Sequence, residues 1–353
     1  MPLELIVRVP KEIGFVEYTD REPVGDEVLT RTLVSGIKHG TERNMYRGTL
    51  PFAEEIWDSN LRLFRPPGKG EQIAPFYPHT LGSWAAGVVT AVGPEVTKYK
   101  PGDLVHGEWK HRQTTLLPEK SLYPVCSPAD CETMVFTDPA RFALGAVHDA
   151  EIKLGDRVAI FGMGAIGLLA CQMARLSGAS QIIVIDPITE RLELARTLGA
   201  DQAINPRETD PGLAIKQATH GKGVDVALEI SGTYLGLQQA IRSVHMEGMV
   251  VTASYYGDKA NAVDLSGEWH HNRLTLRSSM PVWNCSNRWQ PMWDLARLIQ
   301  TAIDLLVEQK LCVKPLIGER IPFEKAAEAY AMIDRPFNNK VKILLVYSNQ
   351  GLP

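Results

Sequence analysis

VAIFGMGAIGLLACQMARLSGASQIIVID, residues 158–186, decides the fold. It opens on Val158–Phe161, an apolar run of strand type. Three glycines follow in a G-x-G-x-x-G arrangement, Gly162, Gly164 and Gly167. Behind them Ile166, Leu169, Met173 and Leu176 recur at three- and four-residue spacing, which makes one helix face apolar. Gly178 ends that helix. Gln181–Ile185 is a second apolar strand, and Asp186 closes it. Strand, glycine turn, helix, strand and acid make a βαβ unit of the kind that holds a dinucleotide.

Each residue type has a physical reason to be there. Gly162 permits a tight turn. Gly164 lacks a Cβ, so a pyrophosphate can approach the backbone, and Gly167 lets the helix pack closely on the sheet. Ala165 and Ile166 begin the helix, whose free N–H groups and positive dipole end suit phosphates. Asp186 lies 19 residues past Gly167, where a carboxylate can accept both hydroxyls of an adenosine ribose. That acid repels a 2′-phosphate and favours NAD. Arg191, five residues on, could contact the adenosine side, which leaves NADP open. The alternative is a βαβ unit that has lost its ligand.

The chain has 353 residues, room for two domains. It is 44% hydrophobic and 22% charged, with a net charge of −4 and no basic block, so nothing points to nucleic acid. MPLELIVRVPKE does not have a signal-peptide layout, because charges interrupt its apolar residues. The charge-free run Val158–Ala174 contains the three glycines and Gln172, and suits a nucleotide turn better than a membrane span. Cys126, Cys131, Cys171, Cys285 and Cys312 are too few for a disulfide framework in so long a chain. A reducing cytoplasm is expected.

Around the nucleotide unit the chain falls into two kinds of pattern. The first ~125 residues are strand-like and turn-rich. Glu4–Val9, Val28–Val34 and Gly87–Val92 are the clearest strands, and 51–79 is a long Pro-rich loop region. From Arg141–Asp149 onward helices and strands alternate. Helices are expected over Thr189–Leu198, Gly212–Thr219, Tyr234–Val244, Trp293–Glu308 and Phe323–Met332. Strands are expected over Gln202–Ile204, Val224–Ile230, Met249–Ser254, Leu274–Ser278 and Val341–Val346. The alternation predicts an α/β fold with a doubly wound parallel sheet. Ser231-Gly232 and Ser254 follow successive strand ends, where such sheets bind ligands. The pair His270-His271 looks like a metal site, but neighbours on a strand point to opposite faces.

Taken together, these pieces resemble the medium-chain dehydrogenase/reductase superfamily, the zinc-type alcohol, polyol and threonine dehydrogenases. The likeness rests on SGIKHGTE (Ser35–Glu42), GSWAAGVVTAVGPEVTKYKPGDLV (Gly82–Val105), ALGAVHDAEIKLGDRV (Ala143–Val158) and the nucleotide motif. It continues in RLELARTLGAD (Arg191–Asp201), GVDVALEISG (Gly223–Gly232), EGMVVTASYYG (Glu247–Gly257), IPFEKAAEAYAMID (Ile321–Asp334) and KVKILLV (Lys340–Val346). It implies a GroES-like β domain over 1–137 and 297–353, a Rossmann domain over 138–296, and an active site in the cleft between them. It also implies that Ser231, Gly232, Ser254 and Ser279 line the nicotinamide half. RSSMPVWNCSNRWQP (Arg277–Pro291) stands where polyol dehydrogenases carry residues beside nicotinamide and substrate. A homodimer or homotetramer is expected, with Leu274–Ser278 pairing across a twofold axis.

The sequence departs from this family at the metal. The family's first zinc ligand is a cysteine in a G-I-C-G-T-D-like segment. Here His39 takes that place in Gly36-Ile37-Lys38-His39-Gly40-Thr41-Glu42, with one residue inserted. The second ligand lies in a Gly-His-Glu motif, which is Gly82-Ser83-Trp84 here. A third often precedes a proline, and Asp138-Pro139 fills that place. A tetrahedral catalytic zinc needs three protein ligands and a water, so catalytic zinc is not expected, although His79 or His148 could replace a ligand. Cys126 and Cys131 alone do not make the four-cysteine structural site.

Without a metal, His39 is the leading acid–base candidate, since an ordinary imidazole titrates near neutrality. Otherwise it is a loop histidine. Thr41 matches the family's proton-relaying hydroxyl, or is a turn or capping residue. Glu42 orients His39, or is a helix-start carboxylate. Tyr46 could donate to a substrate oxygen. Trp84 shapes the pocket or simply packs, and Asp138 contacts substrate or His39, or caps its helix. The expected activity is NAD(H)-dependent hydride transfer to or from a polar, polyol- or sugar-like small molecule, with neither nucleic acid nor membrane as partner. The alternatives are a zinc-free NAD(P)H-dependent enone or quinone reductase and a non-catalytic NAD-binding protein.

Overall fold

The computed structural model describes residues 1–50, 54–257, 260, 262–281 and 290–348. The chain divides into two compact units. The first comprises Met1–Val125, Arg320–Asn338 and Ile343–Pro353, and the second Cys126–Glu319 with Asn339–Lys342. The expected boundaries at 137/138 and 296/297 fall elsewhere. Helix Leu295–Val307 packs on helix Thr137–Asp149, which keeps the chain in the second unit as far as Glu319.

The first unit is mostly β. Strands β1 (Leu3–Val9) and β2 (Glu12–Glu17) pair antiparallel. Strand β3 (Glu27–Gly36) leads into helix α1 (His39–Arg47). A small hairpin, β4 (Ile56–Asp58) and β5 (Leu63–Arg65), interrupts the Pro-rich region. Next come β6 (His79–Thr80), β7 (Trp84–Val92), β8 (Leu104–Gly107), β9 (Thr114–Pro118) and β10 (Leu122–Pro124). In β3 alternate residues turn inward, Val28, Thr30, Thr32 and Val34. The inward Thr32 is satisfied by the Trp109 indole N–H at 3.1 Å. Val28, Ala85, Val89, Val105, Trp109 and Leu122 make one core. Each buried valine or leucine among them contributes about 1.5–3 kcal/mol.

Helix α1 lies within the stretch read as all-β, where only the capping and helix-start readings of Thr41 and Glu42 point to it. Its polar residues Glu42 and Asn44 and the ring of Tyr46 face inward, so hydrophobic periodicity does not mark it. Gly48 ends it in the left-handed conformation at φ +77°, as a helix C-terminus favours.

The second unit begins with α2 (Cys131–Met134) and α3 (Thr137–Asp149), which starts four residues ahead of the expected Arg141. Parallel strands then alternate with helices: β11 (Arg157–Phe161), α4 (Ala165–Leu176), β12 (Gln181–Ile185), α5 (Thr189–Thr197), β13 (Gln202–Ile204), α6 (Pro211–Ala218), β14 (Val224–Glu229), α7 (Tyr234–Ser243), β15 (Val244–Thr252) and β16 (Thr275–Ser278). Their order is β13-β12-β11-β14-β15-β16, the doubly wound arrangement. The register aligns Ile204, Ile185, Phe161, Glu229, Thr252 and Ser278 along the carboxyl edge. Side-chain caps start several helices: Asp210 accepts from Leu213 N–H, Thr233 from Gly236 N–H, and Asp294 from Arg297 N–H. His270 and His271 lie in a helical turn ahead of β16, not on the strand. Their rings meet edge-on at 5.5 Å, and His271 Nδ1 lies 3.0 Å from the Gly267 carbonyl.

After α8 (Leu295–Val307), β17 (Ile317–Pro322) and α9 (Ala326–Asp334), the chain ends in β18 (Lys342–Val346) beside β3. In the first unit α9 and β18 close a core of Leu5, Ile37, Leu81, Phe323, Tyr330 and Ile343. No helix among the described residues is long and apolar enough to cross a membrane. Cys131, Cys171 and Cys312 are free thiols. Cys285 and residues 282–289 of the Trp-rich segment lie outside the described residues.

Candidate active site

The glycine turn of the second unit has the geometry its sequence implies. Gly162 sits at φ +97°, and a Cβ there would lie 2.7 Å from the Ser231 backbone. A Cβ on Gly167 would lie 1.8 Å from the Gly162 carbonyl oxygen. Gly164 differs, because nothing stands within 4 Å of its Cβ position. It precedes α4, and no side chain caps that helix. The first N–H groups of α4, at Ala165 and Ile166, therefore belong to an uncapped, positive helix end with open space at Gly164. Those N–H groups and the positive helix end suit an anion.

Asp186 stands at the end of β12 and is almost fully buried. Its Oδ2 accepts the Met163 N–H at 2.7 Å and its Oδ1 the Ile188 N–H at 2.9 Å. Burial pushes its pKa up, opposed by those donors and by Arg191, whose Nη1 lies 4.0 Å away. Arg191 also donates to the Lys340 carbonyl at 3.1 Å, so its guanidinium is anchored from two sides. Beyond β14, a Cβ on Gly232 would meet the Ser254 side chain at 3.4 Å, so the two strand-end turns touch. Ser279 is buried, and its N–H bonds the Thr252 carbonyl at 2.8 Å. Ser231, Gly232, Ser254 and Ser279 thus share the carboxyl edge. Asp138, in the first turn of α3, is buried and pairs with Arg141 at 2.8 Å. His148 packs edge-on against Trp293 at 4.3 Å.

In the first unit the α1 residues separate. His39 opens the helix, and its Nε2 accepts the Ile343 N–H at 3.2 Å, which assigns the ring proton to Nδ1. Thr41 is half-buried in the same first turn. Lys38, not Thr41, is the N-cap residue. The two oxygens of Glu42 turn to other partners. One oxygen accepts the Lys38 N–H at 3.0 Å, and the other is met by His111 Nε2 at 3.1 Å and by the Tyr330 hydroxyl. His111 Nδ1 continues to Ser35 Oγ at 2.7 Å, and Ser35 Oγ to the Tyr347 hydroxyl at 3.0 Å. Burial alone would raise the Glu42 pKa, but the charge and hydrogen bond of His111 with the Tyr330 donor hold it down at about 2. Tyr46 packs in the core, its ring 5.7 Å from Tyr330, so a substrate-donor role for it is not supported.

Trp84 is buried, and its indole N–H donates to His106 Nδ1 at 3.1 Å. Burial pushes the His106 pKa down to about 3, so the ring is neutral with its proton on Nε2. Tyr123 stacks on both rings, at 6.2 Å from Trp84 and 5.6 Å from His106. Trp84 therefore packs rather than reacts. Sequence reasoning missed His106, His111 and Tyr330. Nothing local in the sequence marked any of the three.

The positions that hold catalytic zinc in the resembled enzymes carry other groups here. Ser83 offers no imidazole, Trp84 turns to His106, and the His39 Nε2 lone pair takes a backbone N–H. Among the described residues no three His, Cys, Asp or Glu side chains stand together as a metal-holding group. His79 stacks on Phe76 at 4.4 Å.

The family patterns described as alcohol dehydrogenase GroES-like domain and zinc-binding dehydrogenase match residues 25–127 and 165–297. D-guloside 3-dehydrogenase of Escherichia coli (strain K12) is 33% identical over 333 residues, spanning 93% of this chain and 94% of that protein. The chain belongs to the zinc-type medium-chain dehydrogenase superfamily. Within this superfamily the sorbitol dehydrogenase of Rattus norvegicus is 29% identical over 301 residues, 75% of this chain and 80% of its own. The fold matches, at a TM-score of 0.79 and 21% identity, the crystal structure of an oxidoreductase/dehydrogenase of unknown specificity involved in membrane biogenesis from Escherichia coli. That likeness covers 99% of this chain and 100% of the other. As a medium-chain dehydrogenase the chain is an alcohol dehydrogenase-like oxidoreductase with a GroES-like and a Rossmann domain.

Proposed function

We propose that the chain is an NAD(H)-dependent dehydrogenase that moves a hydride between nicotinamide and a secondary alcohol or carbonyl carbon of a polyol- or sugar-type substrate, without catalytic zinc. The open space at Gly164 before an uncapped helix, with Asp186 at the next strand end, is the observation that carries the cofactor assignment. Relatives named for a guloside and for sorbitol support the substrate class. Bound NAD supplies hydride acceptance and donation at its nicotinamide C4. The chain's own task is to hold the cofactor, position the substrate carbon and handle one proton.

The N–H groups of Ala165 and Ile166 bind phosphate, and Asp186 accepts ribose hydroxyls while repelling a 2′-phosphate. Ser231, Gly232, Ser254 and Ser279 line the nicotinamide side. His39 handles the substrate proton by releasing its Nε2 from the Ile343 N–H, so that Nε2 takes up the proton while Nδ1 keeps its own, and Thr41 relays it. The displaced zinc ligands support acid–base chemistry in place of a metal. They suit alkene reduction equally, since hydride addition to an enone needs no strong Lewis acid, whereas Asp186 disfavours the NADPH that such reductases use. Edge strand β16, with exposed Leu276 and Met280 beside it, pairs with a second copy.

The test combines zinc content with titrations of NADH and NADPH on wild type and His39→Ala. Metal-free protein that prefers NADH, and a variant that keeps NADH affinity but turns over about 10²–10⁴-fold more slowly, support the assignment. One zinc per chain restores the metal mechanism. Preference for NADPH puts the enone reductase first. Wild type that binds NADH yet turns over none of a polyol and glycoside panel supports a non-catalytic binder.

A further inference from the structure

At the carboxyl edge of the Rossmann sheet a carboxylate is fully buried. Glu229 ends β14, in register with Phe161 on one side and Thr252 on the other. It accepts the Ser231 N–H at 2.9 Å and, through short bonds, the Ser231 and Tyr256 hydroxyls. Tyr256 comes from the segment after β15, and its ring stacks on Tyr234, the first residue of α7, at 4.8 Å. Ser231 Oγ also lies 2.9 Å from Oγ1 of Thr233, the α7 N-cap. One carboxylate thus joins the turn after β14, the segment after β15 and the start of α7. The donors that meet it are neutral. Burial pushes its pKa up, and the hydrogen bonds oppose that rise.

A dinucleotide lies across the point where strand order reverses, here between β11 and β14. Asp186 on β12 marks the adenosine side, so the nicotinamide side falls over β14 and β15. Oxidised nicotinamide carries a positive ring charge and the reduced ring is neutral. We propose that Glu229 is an electrostatic bias on the cofactor: as a carboxylate, the form its three donors favour, it stabilises NAD+ over NADH. This deepens the assignment of the chain as an NAD(H) dehydrogenase and rests on it. A purely structural carboxylate would hold the two turns together and weaken both cofactor forms alike when removed. A charge acting on the ring separates them.

The experiment is a fluorescence titration with NADH, and its competition by NAD+, on wild type and Glu229→Gln. Glutamine keeps the size and one acceptor while removing the charge. The Kd for NAD+ rises about tenfold in the variant and that for NADH changes less than about twofold, as expected for one charge acting through a protein interior. Equal changes in both, or none, overturn the proposal. If Glu229→Gln does not fold, Tyr256→Phe carries the test. Loss of that donor changes the ionisation or the screening of the carboxylate, so the ratio of the two Kd values shifts, whereas a carboxylate that only braces the turns moves both alike, and an unchanged ratio overturns the proposal. Wild type that binds neither form refutes the dehydrogenase assignment itself, which is a distinct result.

Discussion

Glu42 is a buried anion held by partners far along the chain, His111 at 69 residues and Tyr330 at 288. Breaking one side of such a pair strands a charge. His111→Leu is therefore expected to lower unfolding free energy by about 3–5 kcal/mol. Tyr330→Phe, which removes one donor, should cost about 1–3 kcal/mol. Urea denaturation measures both, and equal small losses would show that the carboxylate is satisfied elsewhere. Glu42 itself was legible from its place after a G-T pair, but its partners were not, because no periodicity links positions so distant. Asp186 was legible for the opposite reason. Its distance from the glycines is set by one helix and one strand. Asp186→Ser should shift the NADH-to-NADPH affinity ratio toward NADPH by about tenfold or more, read by titration of both. An unchanged ratio would mean that Arg191, not Asp186, sets the choice.

The three glycines of one turn serve different ends, and single alanine or valine changes separate them. Gly167→Ala forces a Cβ into the Gly162 carbonyl and should destabilise the Rossmann unit by about 3 kcal/mol. Gly164 has an extended backbone, φ −76° and ψ −171°, and space around it. Gly164→Val should therefore leave unfolding within about 0.5 kcal/mol of wild type while weakening NADH binding more than tenfold. Thermal unfolding beside NADH titration reads the two effects. Loss of stability at Gly164, or intact binding, would contradict the phosphate assignment. Elements with strong apolar periodicity, β11, α4, β12 and β14, were readable to within a residue or two. Helix α1 was legible only at its start, in Thr41 and Glu42, because it buries the polar Glu42 and Asn44 in place of an apolar stripe. The hairpin Ile56–Arg65 was hidden by the prolines and glycines around it.

Over the whole molecule, two buried groups of the β unit make stability fall with acid. An ordinary imidazole titrates near 6.5, but burial holds His106 at about 3. The unfolded chain therefore binds a proton that the fold refuses. Stability should drop as pH falls below about 6.5, with a slope near 1.4 kcal/mol per unit. Glu42, held at about 2, adds a second loss that begins below its unfolded value near 4.5. Denaturant midpoints across this range check the sign, and His106→Gln should flatten the upper part of the curve. The account as a whole turns on hydride transfer without a metal. Its most direct test is NADH formation from NAD+ with a panel of polyols and glycosides, followed by absorbance in the presence and absence of a chelator. The expected result is turnover of at least one of these alcohols at a rate the chelator leaves unchanged. Turnover that the chelator abolishes and zinc restores, or no turnover of any alcohol in the panel, would contradict it.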